Sequence, residues 1–503
     1  MDVKQILEAR LKEHKDKTAV IFRDQKISFA QIYDVSLKLA ASLEKLGVRK
    51  SDKVAIYLPA CPEYIYSYLA IWLLGSVSVP LDFMLTQDEL VSCIAHSEAK
   101  ILIAKAKHAV DFAGLSKGAS NLKQIITLGE SSSEALDLHR LIQEEKPLKV
   151  FPQISPKDHA IIFYTSGTTG KPKGVLINYQ QLGAPAKSMS LFVNGDLTSK
   201  DNVLCALPFS HLGGLIYIQN LIFFGYTLIL MERFMPVEFL KNIQQYKVAC
   251  FWIVPSMYYA LLQLKEFETF DLSSLRWIVT FGASNSPDAL RRFHQFCPGA
   301  HLLNGWGMTE TNAPTTVLPM GSDNIESVGR SAPWIKVRIF DEQDKEVSPG
   351  QVGEVVVQGD VVTDGYYKDE ALTRETIRNN WFYTGDLGKI DAQGFLYIVG
   401  RKKEMLKVAG EIVFEPEIEA VLQKHESIAE VAVVGMPDKL RGEVPKAYIV
   451  LRQNAVISED DLRYFCKQHL AHFKVPHSFE ILASLPKNRS GKINKEELRN
   501  KNQ

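Results

Sequence analysis

Short apolar runs return along the first 280 residues of the chain, with stretches of helical length between them. They lie at residues 19–22, 53–57, 100–103, 159–163, 203–207, 227–230, 249–253 and 276–280. Within each run the apolar residues are consecutive rather than at every second position. Strands buried on both faces of a parallel sheet read this way. The pattern predicts an α/β fold with two βα layers, divided by a glycine-rich loop at 164–174. Ser28 stands where it would cap a helix running to Leu46, and Gly47 would end it. Residues 62–74 read as another helix, whereas 105–150 show no clear period. From Gly329 the character changes to short strands at 337–340, 353–357 and 395–399, split by Asp, Gly and Pro turns. These predict a small antiparallel sheet or barrel. After Arg401 a helix at 415–424, strands at 429–434 and 446–451 and a helix from Ser458 describe a compact α+β unit. The expected architecture is a large N-terminal domain at 1–402 and a small C-terminal α+β domain at 403–503. The large domain would hold two α/β subdomains with parallel-rich sheets, about 1–180 and 181–328, and a β-barrel-like subdomain at about 329–402.

A chain of 503 residues is too long for one core. Its 58 basic residues balance 58 acidic ones, so no overall field would draw in nucleic acid or an anionic membrane. The cysteines (Cys61, Cys93, Cys205, Cys250, Cys297, Cys466) are widely spaced in apolar segments. That suits reduced, buried thiols and a cytoplasmic protein better than a disulfide framework. The N-terminus has no apolar signal core, and the last residues form no sorting tag. Residues 212–231 have the length of a membrane span, but Gln219 and Asn220 sit at the centre and Gly225 interrupts them. A buried helix turning into a buried strand is the reading adopted, with no transmembrane segment. His469, His472 and His477 lack Cys or Glu partners at ligand spacing and read as a wet helix end.

The loop after residues 159–163 carries the first chemistry. From Thr165 to Gly174 it holds three glycines, four hydroxyl side chains (Thr165, Ser166, Thr168, Thr169) and two lysines, Lys171 and Lys173. Glycines such as Gly167 and Gly170 let backbone N–H groups face one point, hydroxyls add donors, and lysines add positive charge. Such a loop suits phosphate oxygens better than it suits an ordinary surface turn. It is not the Walker pattern, because Pro172 follows Lys171 where Ser or Thr is needed. Other polar blocks end predicted strands: residues 208–214 with His211, Gly282-Ala283-Ser284, and Asn304-Gly305-Trp306-Gly307-Met308-Thr309-Glu310. Ligands in open α/β sheets sit beyond the carboxyl ends of the strands, so these loops should converge. Residues 383–386, ending at Asp386, residues 400–407 and the basic loop 486–492 follow.

In this order, and spanning most of the chain, these blocks resemble the adenylate-forming, AMP-binding superfamily, and within it the acyl-CoA synthetases. The resemblance implies a ligase in which a carboxylate attacks the α-phosphate of ATP, pyrophosphate leaves, and the acyl-adenylate acylates the thiol of CoA. Attack of one anion on another must be helped by positioning and preplaced positive charge. By resemblance, residues 165–174 would wrap the β- and γ-phosphates. Glu310, beside Thr309, would hold Mg²⁺. Gly282, Ala283, Ser284 and Trp306 would flank the adenine, Trp306 being otherwise a core residue. Asp386 would accept from the ribose hydroxyls with support from Arg401. Lys492 would bridge the attacking carboxylate and the α-phosphate. The nucleotide set is then Thr165, Ser166, Gly167, Thr168, Thr169, Gly170, Lys173, the residues at 282–284 and 304–309, Asp386, Arg401 and Lys492. The catalytic set is Lys492, Glu310, Thr165 and His211. The family hinge falls on Lys403, about which the small C-terminal domain would swing. Lys407, Gly410 and Glu411 belong to the face presented for thioester formation.

His211, Leu212, Gly213 and Gly214 would open the acyl pocket, the two glycines leaving room for a chain or ring. No acidic residue stands there to pair with an ammonium group, which argues against an amino-acid substrate. A medium- or long-chain fatty acid is the first expectation. An aryl acid of the coumarate or benzoate kind, or transfer to a carrier protein, is the alternative. The expected partners are the acid, ATP and CoA, with no nucleic acid; a homodimer is compatible with the sequence.

Overall fold

The structure is a computed structural model. It describes residues 3–105, 110–129, 135–165, 173–282, 285, 287–312, 314–409, 411–438, 440–487 and 493–501. Its contacts gather the chain into two compact units. The first comprises Met1–Ile325, Gly329–Lys336 and Gln358–Asn380, the second Glu326–Val328, Val337–Val357 and Trp381–Gln503.

The first unit is built on two large sheets. One has seven strands in the order Ala135–Asp137, Gln124–Leu128, Ile101–Lys105, Lys53–Tyr57, Val77–Pro80, His159–Thr165 and Lys173–Asn178. All neighbours run parallel except the last pair, which forms an antiparallel hairpin. The other has nine strands, with a parallel centre of His301–Trp306, Trp277–Thr280, Cys250–Ile253, Asn202–Cys205, Thr227–Leu230 and Thr18–Phe22. The central strands are buried at nearly every position, which is why they read as unbroken apolar runs. Thr18–Phe22 lies far ahead of the glycine loop in sequence, yet pairs with Thr227–Leu230 in the second sheet. Periodicity reports how a strand is buried but carries no partner, so this crossing between layers was not readable.

Helices take the expected places. Phe29–Lys45 starts at Ser28, whose hydroxyl accepts from the Gln31 N–H while the Gln31 side chain accepts from the Ser28 N–H. Gly47, at φ +91°, follows its end. Leu212–Phe224 runs to Gly225 in the left-handed region and turns into the strand Thr227–Leu230. No helix among the described residues is long and apolar enough to cross a membrane. The aperiodic region 105–150 holds the strands Gln124–Leu128 and Ala135–Asp137 and the short helices Phe112–Gly118 and Leu138–Glu144. These pieces are too short for a period to show.

The second unit contains a curled antiparallel sheet with strands Gly353–Gln358, Trp381–Ile390 and Leu396–Arg401. It also holds an α+β assembly. There the strands Glu411–Phe414, Met405–Val408, Gly442–Leu451 and Ile428–Asp438 neighbour one another in that order, and Ser478–Ile481 joins Gly442–Leu451 in parallel. The helices Glu415–Leu422 and Glu459–His469 cover it over a core that includes Val413, Ile418, Ile449, Leu462 and Cys466. The protein is thus an α/β fold with parallel-rich sheets, a curled antiparallel sheet and a small C-terminal domain.

Candidate active site

In the first unit the hairpin His159–Thr165/Lys173–Asn178 brings the two ends of the glycine loop together, Thr165 opposite Lys173 and Tyr164 opposite Gly174. Ser166, Gly167, Thr168, Thr169 and Gly170 of the expected phosphate loop lie outside the described residues, as do Ala283, Ser284, Gly410 and Lys492. At the loop's exit Gly174 has no room for a side chain, since a Cβ would come 2.8 Å from Ile162 Cγ2. At its entrance the Tyr164 hydroxyl meets His96 Nδ1 at 2.7 Å. Burial first, then the Lys368 ammonium, keep the His96 imidazole below its ordinary value.

Residues 363–367 bind this exit strand to Glu310. Thr363 N–H donates to the Glu310 carbonyl at 2.7 Å and the Thr363 hydroxyl to the Leu176 carbonyl at 2.6 Å. Leu176 N–H donates to the Gly365 carbonyl, and Tyr367 N–H to the Gly174 carbonyl. Tyr366 forms a bridge with Val175, and its hydroxyl donates to Glu310 Oε1 at 3.1 Å. Burial first, then the Glu310 charge, push the Tyr366 phenol well above its ordinary value, so it remains a donor. Glu310 itself sits in the single 3₁₀ turn Thr309–Thr311, reached from strand His301–Trp306 through Gly307 and Met308.

Beside that strand, Gly282 bends the chain at φ +91° after Trp277–Thr280. Asn304 is buried, and its Oδ1 accepts from Asn285 Nδ2 at 2.7 Å. Asn285 Nδ2 also reaches the Thr280 hydroxyl, and its Oδ1 accepts from the Tyr258 hydroxyl. Gly305 and Trp306 pair with Val317 and Thr316. Trp306 is only 9% exposed, so most of its indole is already packed within the protein.

At the expected acyl entrance, His211 precedes helix Leu212–Phe224, and its Nε2 lies 3.0 Å from Asp82 Oδ2. The glycines that follow are closely packed. A Cβ on Gly214 would come 2.1 Å from the Pro208 carbonyl oxygen, and one on Gly213 would come 3.0 Å from the Phe281 ring. Close packing against the chain's own backbone and ring therefore keeps these two positions small. Leu212 opens the helix, and deeper in it Gln219 and Asn220 are wholly buried, with no hydrogen-bond partner for either amide among the described residues.

In the second unit Asp386 and Arg401 face each other across two strands, with Arg401 Nε 3.0 Å from Asp386 Oδ1. Asp386 is 4% exposed. Lys403 lies exposed in the 3₁₀ turn Lys402–Glu404. Lys407 and Glu411 project from the two strands of one hairpin, both exposed. The buried Glu415 carboxylate holds Lys495 Nζ at 3.1 Å and Arg499 at 2.8 and 2.9 Å. Asp82, Asn285, Tyr366 and Glu415 were all missed by sequence reading. Each is a single residue without a local motif, distinguished only by the partner the fold gives it.

The sequence profile of the AMP-binding enzymes matches residues 7–367, and that of the AMP-binding enzyme C-terminal domain matches residues 417–492. The long-chain-fatty-acid–CoA ligase of Bacillus subtilis is 32% identical over 507 residues, covering 95% of this chain and 90% of its own length. A feruloyl-CoA synthase of an Amycolatopsis species is also 32% identical, with 98% and 96% covered. The fold matches that of o-succinylbenzoate coenzyme A synthetase from Bacillus subtilis, solved in complex with ATP and magnesium ion. There the TM-score is 0.87 at 29% identity, with 99% and 98% covered. The chain belongs to the AMP-binding enzyme family, as an AMP-forming ligase that joins an acid to a thiol.

Proposed function

We propose that the protein activates an apolar-bodied carboxylic acid with ATP and passes the acyl group to CoA. The observation that carries this reading is the segment at 363–367, which hydrogen-bonds both Glu310 and the strand leaving the glycine loop. Glu310 and the strand that leaves the glycine loop are thereby tied to the same segment, which supports placing metal and phosphates together. In this reading residues 165–174 cradle the β- and γ-phosphates and Lys492 neutralises charge shared by the attacking carboxylate and the α-phosphate. Asp386, steadied by Arg401, accepts from the ribose hydroxyls. Residues 282–284 and 304–309 border the base, and His211 stands at the acyl entrance. Among the described residues no three or more His, Cys, Asp or Glu gather into a metal cage. Glu310 would therefore supply a carboxylate oxygen and leave the remaining positions to phosphate and water, which is how Mg²⁺ is usually held. That ion would neutralise phosphate charge during the displacement. The C-terminal domain at 403–503 turns about Lys403 and exchanges Lys492 for the face of Lys407, Gly410 and Glu411 when the thioester forms.

The relatives act on unlike acids, and a medium- or long-chain fatty acid is the first reading here, from the nearly continuous apolar character of Leu212–Phe224. One observation favours an aryl acid with a hydrogen-bonding substituent instead. Gln219 and Asn220 lie two helical turns beyond Leu212 and Gly213 on the same faces, about 10 Å further along. Their amides, unpartnered among the described residues, would welcome a ring hydroxyl or a second carbonyl, and a plain alkyl end would leave them unsatisfied. The test is a panel of saturated and hydroxyaryl acids with ATP, Mg²⁺ and CoA, scored for AMP release. Failure of every acid, together with no acid-dependent pyrophosphate exchange, would overturn the activity. Preference for saturated chains, unchanged in Gln219→Leu and Asn220→Leu, would eliminate the aryl reading.

A further inference from the structure

Glu310 has a long side chain with three rotatable torsions, and an ion-binding carboxylate loses affinity when it must be ordered as the ion arrives. In this protein the ordering is built in. The Tyr366 hydroxyl donates to Glu310 Oε1 at 3.1 Å, and the Glu310 carbonyl accepts from Thr363 N–H at 2.7 Å. Backbone and carboxylate of the same residue are thus held by two points of one short segment. That segment is anchored in turn. Tyr366 is 8% exposed, its N–H donates to the Thr373 hydroxyl at 2.9 Å, and it bridges Val175 in the strand that leaves the glycine loop. Gly365 takes a φ of +130°, and a Cβ there would meet Thr373 at 2.6 Å, so the backbone can reach this path only with glycine. A phenol donor takes only one of roughly four acceptor sites on an ionised carboxylate, so this bond does not itself exclude a hard cation.

We propose that Tyr366 is a positioning residue whose hydroxyl orients the Glu310 carboxylate toward a divalent cation at the nucleotide phosphates. The inference rests on the reading of Glu310 as the metal carboxylate. The adjacent Tyr367 is the built-in control: its phenol is spent elsewhere, donating to Glu98 Oε2 at 2.8 Å.

The experiment measures Mn²⁺ affinity by electron paramagnetic resonance on the full-length enzyme carrying ATP, and ATP affinity separately in the presence of EDTA. Tyr366→Phe keeps the ring and removes the hydroxyl. It is expected to weaken Mn²⁺ binding on the order of tenfold, the usual scale for losing a partner of a metal ligand, with metal-free ATP binding unchanged. Tyr367→Phe is expected to leave both affinities as they are. Glu310→Gln separates the two ideas. If it leaves Mn²⁺ affinity unaltered, the metal reading of Glu310 is wrong. If Glu310→Gln weakens Mn²⁺ and Tyr366→Phe does not, Glu310 keeps its role and the positioning by Tyr366 is overturned. An equal loss of metal-free ATP binding in Tyr366→Phe would also overturn it, because the hydroxyl would then be serving the fold of the nucleotide site at large.

Discussion

Gly213 and Gly214 stand side by side, but different neighbours crowd them. At Gly214 the obstacle is backbone, the Pro208 carbonyl oxygen 2.1 Å from where a Cβ would lie. At Gly213 it is the edge of the Phe281 ring at 3.0 Å, which a small rotation can relieve. Gly214→Ala should therefore cost at least the upper end of the ~1–3 kcal/mol typical of overpacking. For Gly213→Ala the strain should be offset by the roughly 1 kcal/mol by which alanine is the better helix former. Thermal melting of the two variants checks this: a clear drop for Gly214→Ala and little change for Gly213→Ala. Equal melting temperatures would mean that the turn before the helix yields more readily than its geometry implies. A pair of glycines is legible in sequence, whereas the reason for each is not, because the atoms that crowd them come from elsewhere in the chain.

At the scale of elements, the terminal helix Lys495–Asn500 is fastened by charge rather than by an apolar stripe. Glu415 is fully buried, and burial pushes its carboxyl above the ordinary value although Lys495 and Arg499 both pull it down. Desolvation is therefore the larger effect, and the clamp recovers only part of it. Lys495 has a second partner in Glu419 at 2.7 Å, while Arg499 relies on Glu415 among the ion pairs seen. Glu415→Gln should destabilise the C-terminal domain toward the low end of the about 3–5 kcal/mol seen when one partner of a buried pair is removed. The low end applies because Arg499 keeps some solvent contact. Pairing Glu415→Met with Arg499→Met should recover part of the loss, since both charges then leave together. Hydrogen exchange of the amides at 495–500 reads this directly. Protection equal to that of the unaltered protein in Glu415→Gln would show that the apolar contact of Leu498, itself fully buried, is enough to hold the helix.

For the whole molecule, the two chemical steps of an acid–thiol ligase need different groups at one reacting carbon. The proposed exchange of faces about Lys403 makes the steps separable. Lys403→Pro fixes one backbone torsion and removes an N–H, so it should leave acyl-adenylate formation largely intact while blocking thioester formation. Lys492→Ala should do the reverse at the first step, abolishing acid-dependent pyrophosphate exchange while ATP still binds. Separate assays of the two half-reactions decide both. An equal loss of the two steps in Lys403→Pro would count against the exchange, and undiminished pyrophosphate exchange in Lys492→Ala would remove that lysine from the first step.

The sequence alone determined the α/β class, eight strands of the two large sheets, the helix caps at Ser28 and Gly47, the buried helix at 212–224 and the order of polar blocks that marks an adenylate-forming enzyme. All of these are local: a strand buried on both faces, a capped helix or a loop of donors writes its requirement into a few consecutive residues. Only the tertiary structure decided that Thr18–Phe22 joins the second sheet, that Gly213 and Gly214 answer to Phe281 and Pro208, and that Glu310, His211 and Lys495 find their partners in Tyr366, Asp82 and Glu415. A hydrogen bond or a close approach is a relation between residues far apart in the chain, and its energy depends on a distance that no run of neighbours encodes.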